Sequence, residues 1–260
     1  MLNVLMIGDI VGRPGRNAVK QYLQANHQQY DFIIANGENA AGGKGITPEI
    51  VYDLFNAAVD FITMGNHVWD KKEIMPFLEH EPNIIRPANY PPGSPGRGST
   101  VLKINNELKI GIINLSGRVF LPALDCPFRT ANAIIKEMRQ ETPIIIVDFH
   151  AEATSEKVAF GWYLDGRVSA VIGTHTHIQT ADERILPQGT AYISDVGMTG
   201  PRNSVLGMGK EVIIQRFLTQ LPARFEVASG EVLFNAVSLK IDRNTGKCVD
   251  FARIQEIFFN

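Results

Sequence analysis

VSAVIGTHTH, residues 168–177, is an apolar run that stops abruptly in two histidines, His175 and His177. Four other runs end in the same way. LNVLMIG leads into Asp9, DFIIANG into Glu38 and Asn39, DFITMG into Asn66 and His67, and PIIIVDFH ends on His150. Short, nearly continuous runs of Ile, Val, Leu and Phe mark strands buried on both faces of a parallel sheet. Ligands bind in the crevice outside the carboxyl ends of such strands. If the runs are parallel, all of these polar groups meet at one edge. A single polar residue at a strand end is ordinary, because a strand that surfaces must meet water; five such ends in one chain are not.

The runs alternate with amphipathic stretches, the pattern of an α/β protein. LKIGIINLSG reads as one further strand. Helices are expected over residues 14–29, opened by a proline in the first turn, 48–58, capped by Thr47, 127–141 and 155–164. The last third changes character. RILPQGTAYISD, ARFEVASGEVLFNAVSLKID and KCVDFARIQEIFF alternate polar and apolar residues between Gly or Asn-Thr-Gly turns, which predicts antiparallel strands around one helix at 210–220. The breaker-rich stretch at 89–99 is too short for a linker, so residues 1–260 are expected to form a single domain.

Composition narrows the function. With 260 residues, 45% of them hydrophobic, the chain can bury a large core. A formal charge of −2 and no block of Lys or Arg argue against a protein that coats long nucleic acid, but leave room for a small anionic substrate. Cys126 and Cys248 are far apart and form neither a disulfide framework nor a zinc knuckle. The first apolar stretch is cut by Gly8 and Asp9, short of a signal sequence or membrane span, so a cytoplasmic protein with no membrane partner is expected.

The donor set at the strand ends is Asp, Glu, Asn and His, without thiolate. This mixture suits Fe, Mn or Zn in a reactive rather than a purely structural site. Alternate residues of an extended strand face the same way, so His175 and His177 could share one ion; as the strand is ending there, they could instead diverge toward two. The number of donors is better explained by two ions about 3.5–4 Å apart than by one.

Specific motifs now carry a resemblance. Gly65-Asn66-His67 in MGNHVWD resembles the G-N-H-E/D block of the calcineurin-like metallophosphoesterases, and IGTHTH their terminal G-H-x-H block. The opening Ile7-Gly8-Asp9 is similar to the start of their G-D-x-H block, with Val11 in place of the histidine. NGENAAGGKG replaces the usual G-D-x-x-D-R-G, with Glu38 where the bridging aspartate is expected and Asn39 beside it. These departures, with DFHAEATSEK, SGRVF, PFRT and GMTGPRNS, resemble the YmdB-like phosphodiesterases over essentially the whole chain.

The resemblance implies a four-layer αββα sandwich with mixed sheets and metal ligands at strand ends. It places one ion on Asp9, Asn39 and His177 and the other on Asn66, His150 and His175, with Glu38 bridging; Asn39 then supplies the donor that Val11 lacks. It implies iron, with manganese as the alternative, and a chain that self-associates. The implied reaction is hydrolysis of 2′,3′-cyclic nucleotides, with 3′,5′-cyclic AMP as a further substrate, through a hydroxide bridging the metals. His67 resembles the proton donor that a poor alkoxide leaving group requires. Two other readings stay open: a nucleotide-sensing metalloprotein that turns over little, and an esterase acting on RNA ends or phosphomonoesters.

Other features are weaker. AAGGKGIT at 40–47 lacks the G-x-x-x-x-G-K-[ST] spacing and is read as a mobile rim loop, against direct phosphate contact by its N–H groups. Glycines 8, 12 and 15 do not form a dinucleotide fingerprint. Arg118, Arg129, Lys157 and Arg202 are candidates for phosphate or nucleotide contact, against ordinary surface solvation. Trp69 and Trp162 are read as core aromatics rather than base-stacking platforms. Asp182 and Asp195 carry no assigned role.

Overall fold

The computed structural model describes residues 1–104 and 108–259. Its chain order explains the architecture. The first five strands, β1 (Leu2–Ile7), β2 (Asp9–Ile10), β3 (Phe32–Asn36), β4 (Phe61–Thr63) and β5 (Ile84–Ile85), build one sheet. The next six, β6 (Ser99–Lys103), β7 (Lys109–Ser116), β8 (Ile145–His150), β9 (Ala170–Thr174), β10 (Arg184–Ile185) and β11 (Ala191–Ile193), build a second. β12 (Met198–Pro201), β13 (Glu231–Ile241) and β14 (Cys248–Phe259) then return to the first.

Parallel pairing runs through β1, β3, β4 and β5 in the first sheet and through β7, β8, β9 and β11 in the second. Antiparallel partners complete both: β13 on β1, β14 on β13, β6 on β7 and β10 on β11. The strand ends that carry the polar residues therefore come from two sheets, Asp9, Glu38, Asn39, Asn66 and His67 from the first and His150, His175 and His177 from the second.

Period-two alternation sorts the side chains into layers. Leu2, Val4 and Met6 of β1 join Phe32, Ile34, Ile112, Ile146 and Ile172 in the core between the sheets. Leu5 and Ile7 face the other way, onto Val19, Tyr22 and Leu23 of α1 (Gly12–Asn26), Val51 and Leu54 of α2 (Pro48–Phe55), and Ile74 and Leu78 of α3 (Ile74–His80). The outer face of the second sheet covers Ala131, Ile135 and Met138 of α4 (Pro127–Met138) and Phe160 and Leu164 of α5 (Thr154–Leu164). Helix, sheet, sheet, helix is the expected αββα sandwich. The last helix, α6 (Lys210–Thr219), buries only Ile213.

Some details differ from expectation. β11 is parallel to β9, because the hairpin it forms with β10 docks on the second sheet rather than extending the antiparallel return. Residues 223–230 do not form the expected strand; only Val227 makes an isolated bridge, to Met208. The short α3 follows DKKE and contains Pro76, which hides its period in the sequence.

Candidate metal centre

Gly8 sets the position of Asp9. At this point the first strand moves from β13 to β12: Gly8 N donates to Asn235 O and Asp9 N to Gly197 O, at 3.0 and 3.2 Å. A Cβ at residue 8 would collide with the Gly197 carbonyl, so only glycine permits the crossing. Asp9 is thereby buried at the sheet edge. Its Oδ2 accepts from His175 N at 3.2 Å, and its Oδ1, 3.8 Å from His150 Nδ1, is a buried oxygen without a hydrogen-bond partner.

His150 is the hub. Its Nε2 lies 3.0 Å from each of Glu38 Oε1, Asn66 Oδ1 and His175 Nδ1. Its Nδ1 is 2.9 Å from Thr174 Oγ1, and the Thr174 hydroxyl donates to Asp148 Oδ1 at 2.7 Å. With its hydrogen directed at Asp148, Thr174 can only accept, so His150 Nδ1 is the donor and Nε2 faces Glu38, Asn66 and His175. His175 repeats the arrangement. Its Nε2 is 3.0 Å from the Glu152 carboxylate, which can only accept, leaving Nδ1 turned toward His150. Among the described residues, ligand atoms of Glu38, His150 and His175 lie within 4.8 Å of one another.

A second group faces it. His177 Nδ1 is 3.2 Å from the Leu206 carbonyl and so carries the proton, while its Nε2 is 3.3 Å from Asn39 Oδ1. The Asn39 amide donates through Nδ2 to Gly43 O at 2.9 Å, which aims its oxygen at His177. Two acceptors thus point at each other, an arrangement that a cation stabilises and a hydrogen bond cannot. His175 and His177 diverge because both leave β9 in the left-handed region, with φ of 102° and 67°. The donor chemistry, the orphaned Asp9 oxygen and the fixed tautomers all fit metal ions.

Burial and mutual charge set the ionisation of these groups in the metal-free chain. Burial raises the Asp9 pKa well above the usual carboxylate range, opposed by His150 and reinforced by Asp195, Glu38 and Asp148. Burial also works against Glu38 ionisation, but the attraction and hydrogen bond of His150, with His67, hold its pKa at about 2. For His150, burial favours the neutral ring, yet Glu38, Asp9 and Asp148 lift it to about 9. Burial and the neighbouring His150 push His175 down to about 3. Any metal ion that took His150 Nε2 would have to displace the proton from it, since imidazole ligates only when that nitrogen is free.

A buried network joins the two sheets beneath these groups. Asp148 of β8 accepts from Thr174 of β9, from Asn36 Nδ2 of β3 at 3.0 Å and from Thr63 Oγ1 of β4. Asn36 Oδ1 in turn accepts from Glu38 N at 3.1 Å. The network therefore registers the donors of one sheet against those of the other. Sequence reasoning missed Asp148; the available signal was a carboxylate inside the apolar run IIIVDFH. Gly65 completes the cradle, because a Cβ there would strike Glu38 and the His150 ring.

His67 stands beside this group. Its backbone N donates to Glu38 Oε2 at 3.0 Å and its Nδ1 lies 2.7 Å from Asp70 Oδ2. His67, Glu152, Thr176 and Leu206 join Glu38, Asn39, His175 and His177 in lining a cleft of about 240 Å³. Glu152 was not singled out in the sequence.

The cation candidates are elsewhere. Lys157 is not a surface phosphate contact: its Nζ is buried and donates to Asp195 Oδ2 at 2.6 Å and Thr174 O at 2.7 Å. Asp195 also accepts from Thr176 N and Gly197 N, so the pair braces the turn between His175 and His177. Asp182 braces the same region through Thr180 and Ser194. Arg202 pairs with Glu231 at 3.2 Å, and Arg118 and Arg129 are exposed outside the cleft. Trp69 packs edge-on against Tyr90, whereas Trp162 is 49% exposed under Arg184, not in a core. In the loop at 40–47, the N–H groups of Ala40, Ala41 and Gly43 bond to Gly37, Gly45 and Asn39 carbonyls, so they shape the loop around Asn39 rather than face a phosphate.

Comparison with known proteins places this geometry in a family. The model of the YmdB-like protein family matches residues 5–254. The chain belongs to the YmdB-like family. It is 56% identical over 255 residues to the 2′,3′-cyclic-nucleotide 2′-phosphodiesterase of Bacillus subtilis (strain 168), spanning 97% of this chain and 96% of that protein. Two solved structures share the fold. A protein from Thermus thermophilus has a TM-score of 0.93 at 42% identity, covering 98% of this chain and 99% of its own. A protein described as a novel phosphatase from Mycoplasma pneumoniae has a TM-score of 0.92 at 37% identity, covering 98% and 93%. The expected family and fold class both hold. No helix among the described residues is long and apolar enough to cross a membrane.

Proposed function

We propose that this YmdB-like chain is a dinuclear-metal phosphodiesterase that opens 2′,3′-cyclic nucleotides at the 2′ ester. Asp9, Asn39 and His177 would hold one ion and Asn66, His150 and His175 the other, with Glu38 available to both. The observation that carries the reading is the pair of facing donor groups, in which the histidine tautomers and the Asn39 amide orientation are each set by a second partner. The relative named as a 2′,3′-cyclic-nucleotide 2′-phosphodiesterase supplies the substrate class. Nitrogen and oxygen donors without thiolate suit Fe, Mn or Zn, and the family likeness favours iron, with manganese as the alternative. Asn39 takes the place of the histidine that Val11 replaces; Val11 itself is buried against Gly200 and Gly207.

When bound, two such ions supply positive charge that shields the phosphodiester and acidifies water. The chain supplies the proton. Hydrolysis adds water oxygen to phosphorus, breaks the P–O2′ bond and leaves an alkoxide that needs protonation. His67 is placed for this: with Nδ1–H on Asp70, its imidazolium donates from Nε2 and returns to the neutral tautomer that Asp70 already holds. On the same reading the chain works in the cytoplasm as one catalytic unit and self-associates, which the exposed Ile214, Phe217 and Leu218 of α6 favour.

The test is elemental analysis of protein purified without added metal, followed by product identification. Two iron or manganese ions per chain and conversion of 2′,3′-cyclic AMP to adenosine 3′-phosphate are expected, with slower turnover of 3′,5′-cyclic AMP. Metal-free protein that still hydrolyses the ester, or faster release of phosphate from p-nitrophenyl phosphate, overturns the reading.

A further inference from the structure

Apart from the ions proposed above, the side chains that line the cleft bring negative rather than positive charge. Among the described residues no lysine or arginine lines it, whereas Glu152 does. The Glu152 side chain is 46% exposed and stands at the mouth, 3.0 Å from His175 Nε2. It accepts from His175 Nε2, and the other ring nitrogen of His175 faces His150. The four basic residues singled out in the sequence are paired, buried or outside the cleft.

We infer that Glu152 is a specificity-determining charge of this site, disfavouring dianionic phosphate monoesters relative to monoanionic diesters. The inference rests on the phosphodiesterase reading for its substrate class. A diester carries one negative charge and a terminal phosphate close to two at neutral pH. The two proposed ions attract both kinds of ester, and Glu152 adds a repulsion that the second charge of the monoester feels most, with no lysine or arginine in the cleft lining to screen it. At a separation of about 8 Å and an effective dielectric constant near 30, that repulsion corresponds to about a tenfold penalty on the dianion. Discrimination by repulsion of the wrong ligand is a general route to specificity.

Three variants separate charge from shape. Glu152→Gln keeps an acceptor for His175 Nε2 and removes the charge, Glu152→Asp keeps the charge, and Glu152→Ala removes both. Metal-loaded proteins are assayed for kcat/KM on p-nitrophenyl phosphate and bis-p-nitrophenyl phosphate. Affinity is measured by calorimetry for inorganic phosphate at pH 8 and for dimethyl phosphate. Gln and Ala should raise the monoester-to-diester ratio about tenfold and tighten phosphate relative to dimethyl phosphate by a similar factor, while Asp stays within about threefold of the parent. Ratios unchanged in Gln, or an Asp variant that behaves like Gln, overturn the inference. If the parent protein hydrolyses neither ester, the phosphodiesterase reading fails, and the two affinities still decide whether Glu152 filters charge.

Discussion

Lys157→Met removes one half of an ion pair whose side chains are 2% and 1% exposed. The methionine stem fills nearly the same space, so the loss is electrostatic. Asp195 keeps its bonds from Thr176 N and Gly197 N but loses its cation, and the Thr174 carbonyl loses its donor. Stripping one partner from a buried pair costs about 3–5 kcal/mol, since the remaining charge stays desolvated. For a chain of this size that is a fall in Tm of roughly 10 °C. Adding Asp195→Asn to the Lys157→Met variant removes the stranded charge, so the double variant should recover about half of the loss. Differential scanning calorimetry of the parent, both single variants and the double variant gives the cycle. A cost below about 1 kcal/mol for Lys157→Met, or costs that simply add, would refute the view that this pair braces the His175–His177 turn.

Gly65→Ala should leave the fold assembled while destabilising it by about 1–3 kcal/mol and abolishing turnover, because its methyl enters the space of Glu38 and His150; wild-type metal content in the variant would contradict this. Thr174→Val unpairs His150 Nδ1 and should weaken metal retention about 10–100-fold in a competitive chelator titration, with unchanged affinity as the refuting result. His67→Ala should slow 2′,3′-cyclic AMP about 100-fold or more but bis-p-nitrophenyl phosphate far less, since only the first leaving group needs a proton; equal losses would make His67 a positioning residue.

Much of the site was legible because its signal is local. An apolar run that stops at Asp9, at Glu38-Asn39 or at His150 announces a strand end with a polar load, and each lies within one short stretch of chain. Helix starts at Pro48 and Pro127 were legible for the same reason, a proline in the first turn. The less local features were missed. Glu152 touches His175 across two loops, Asp148 reads as one more residue of a buried strand, and Lys157 looks like any lysine in the first turns of a helix until Asp195 is brought to it.

The chain by itself determined the inventory: buried strands, capped helices and a thiolate-free set of donors at strand ends, all consequences of side-chain polarity and backbone preference over a few neighbours. Tertiary structure decided the partition of those strands into two sheets and the meeting of their two sets of ends. It also decided the tautomers imposed by Asp148, Leu206 and Glu152, and the burial of Lys157. These depend on pairings between residues tens of positions apart, where the free energy comes from shape and desolvation shared across the whole fold, and no short window of sequence carries that information.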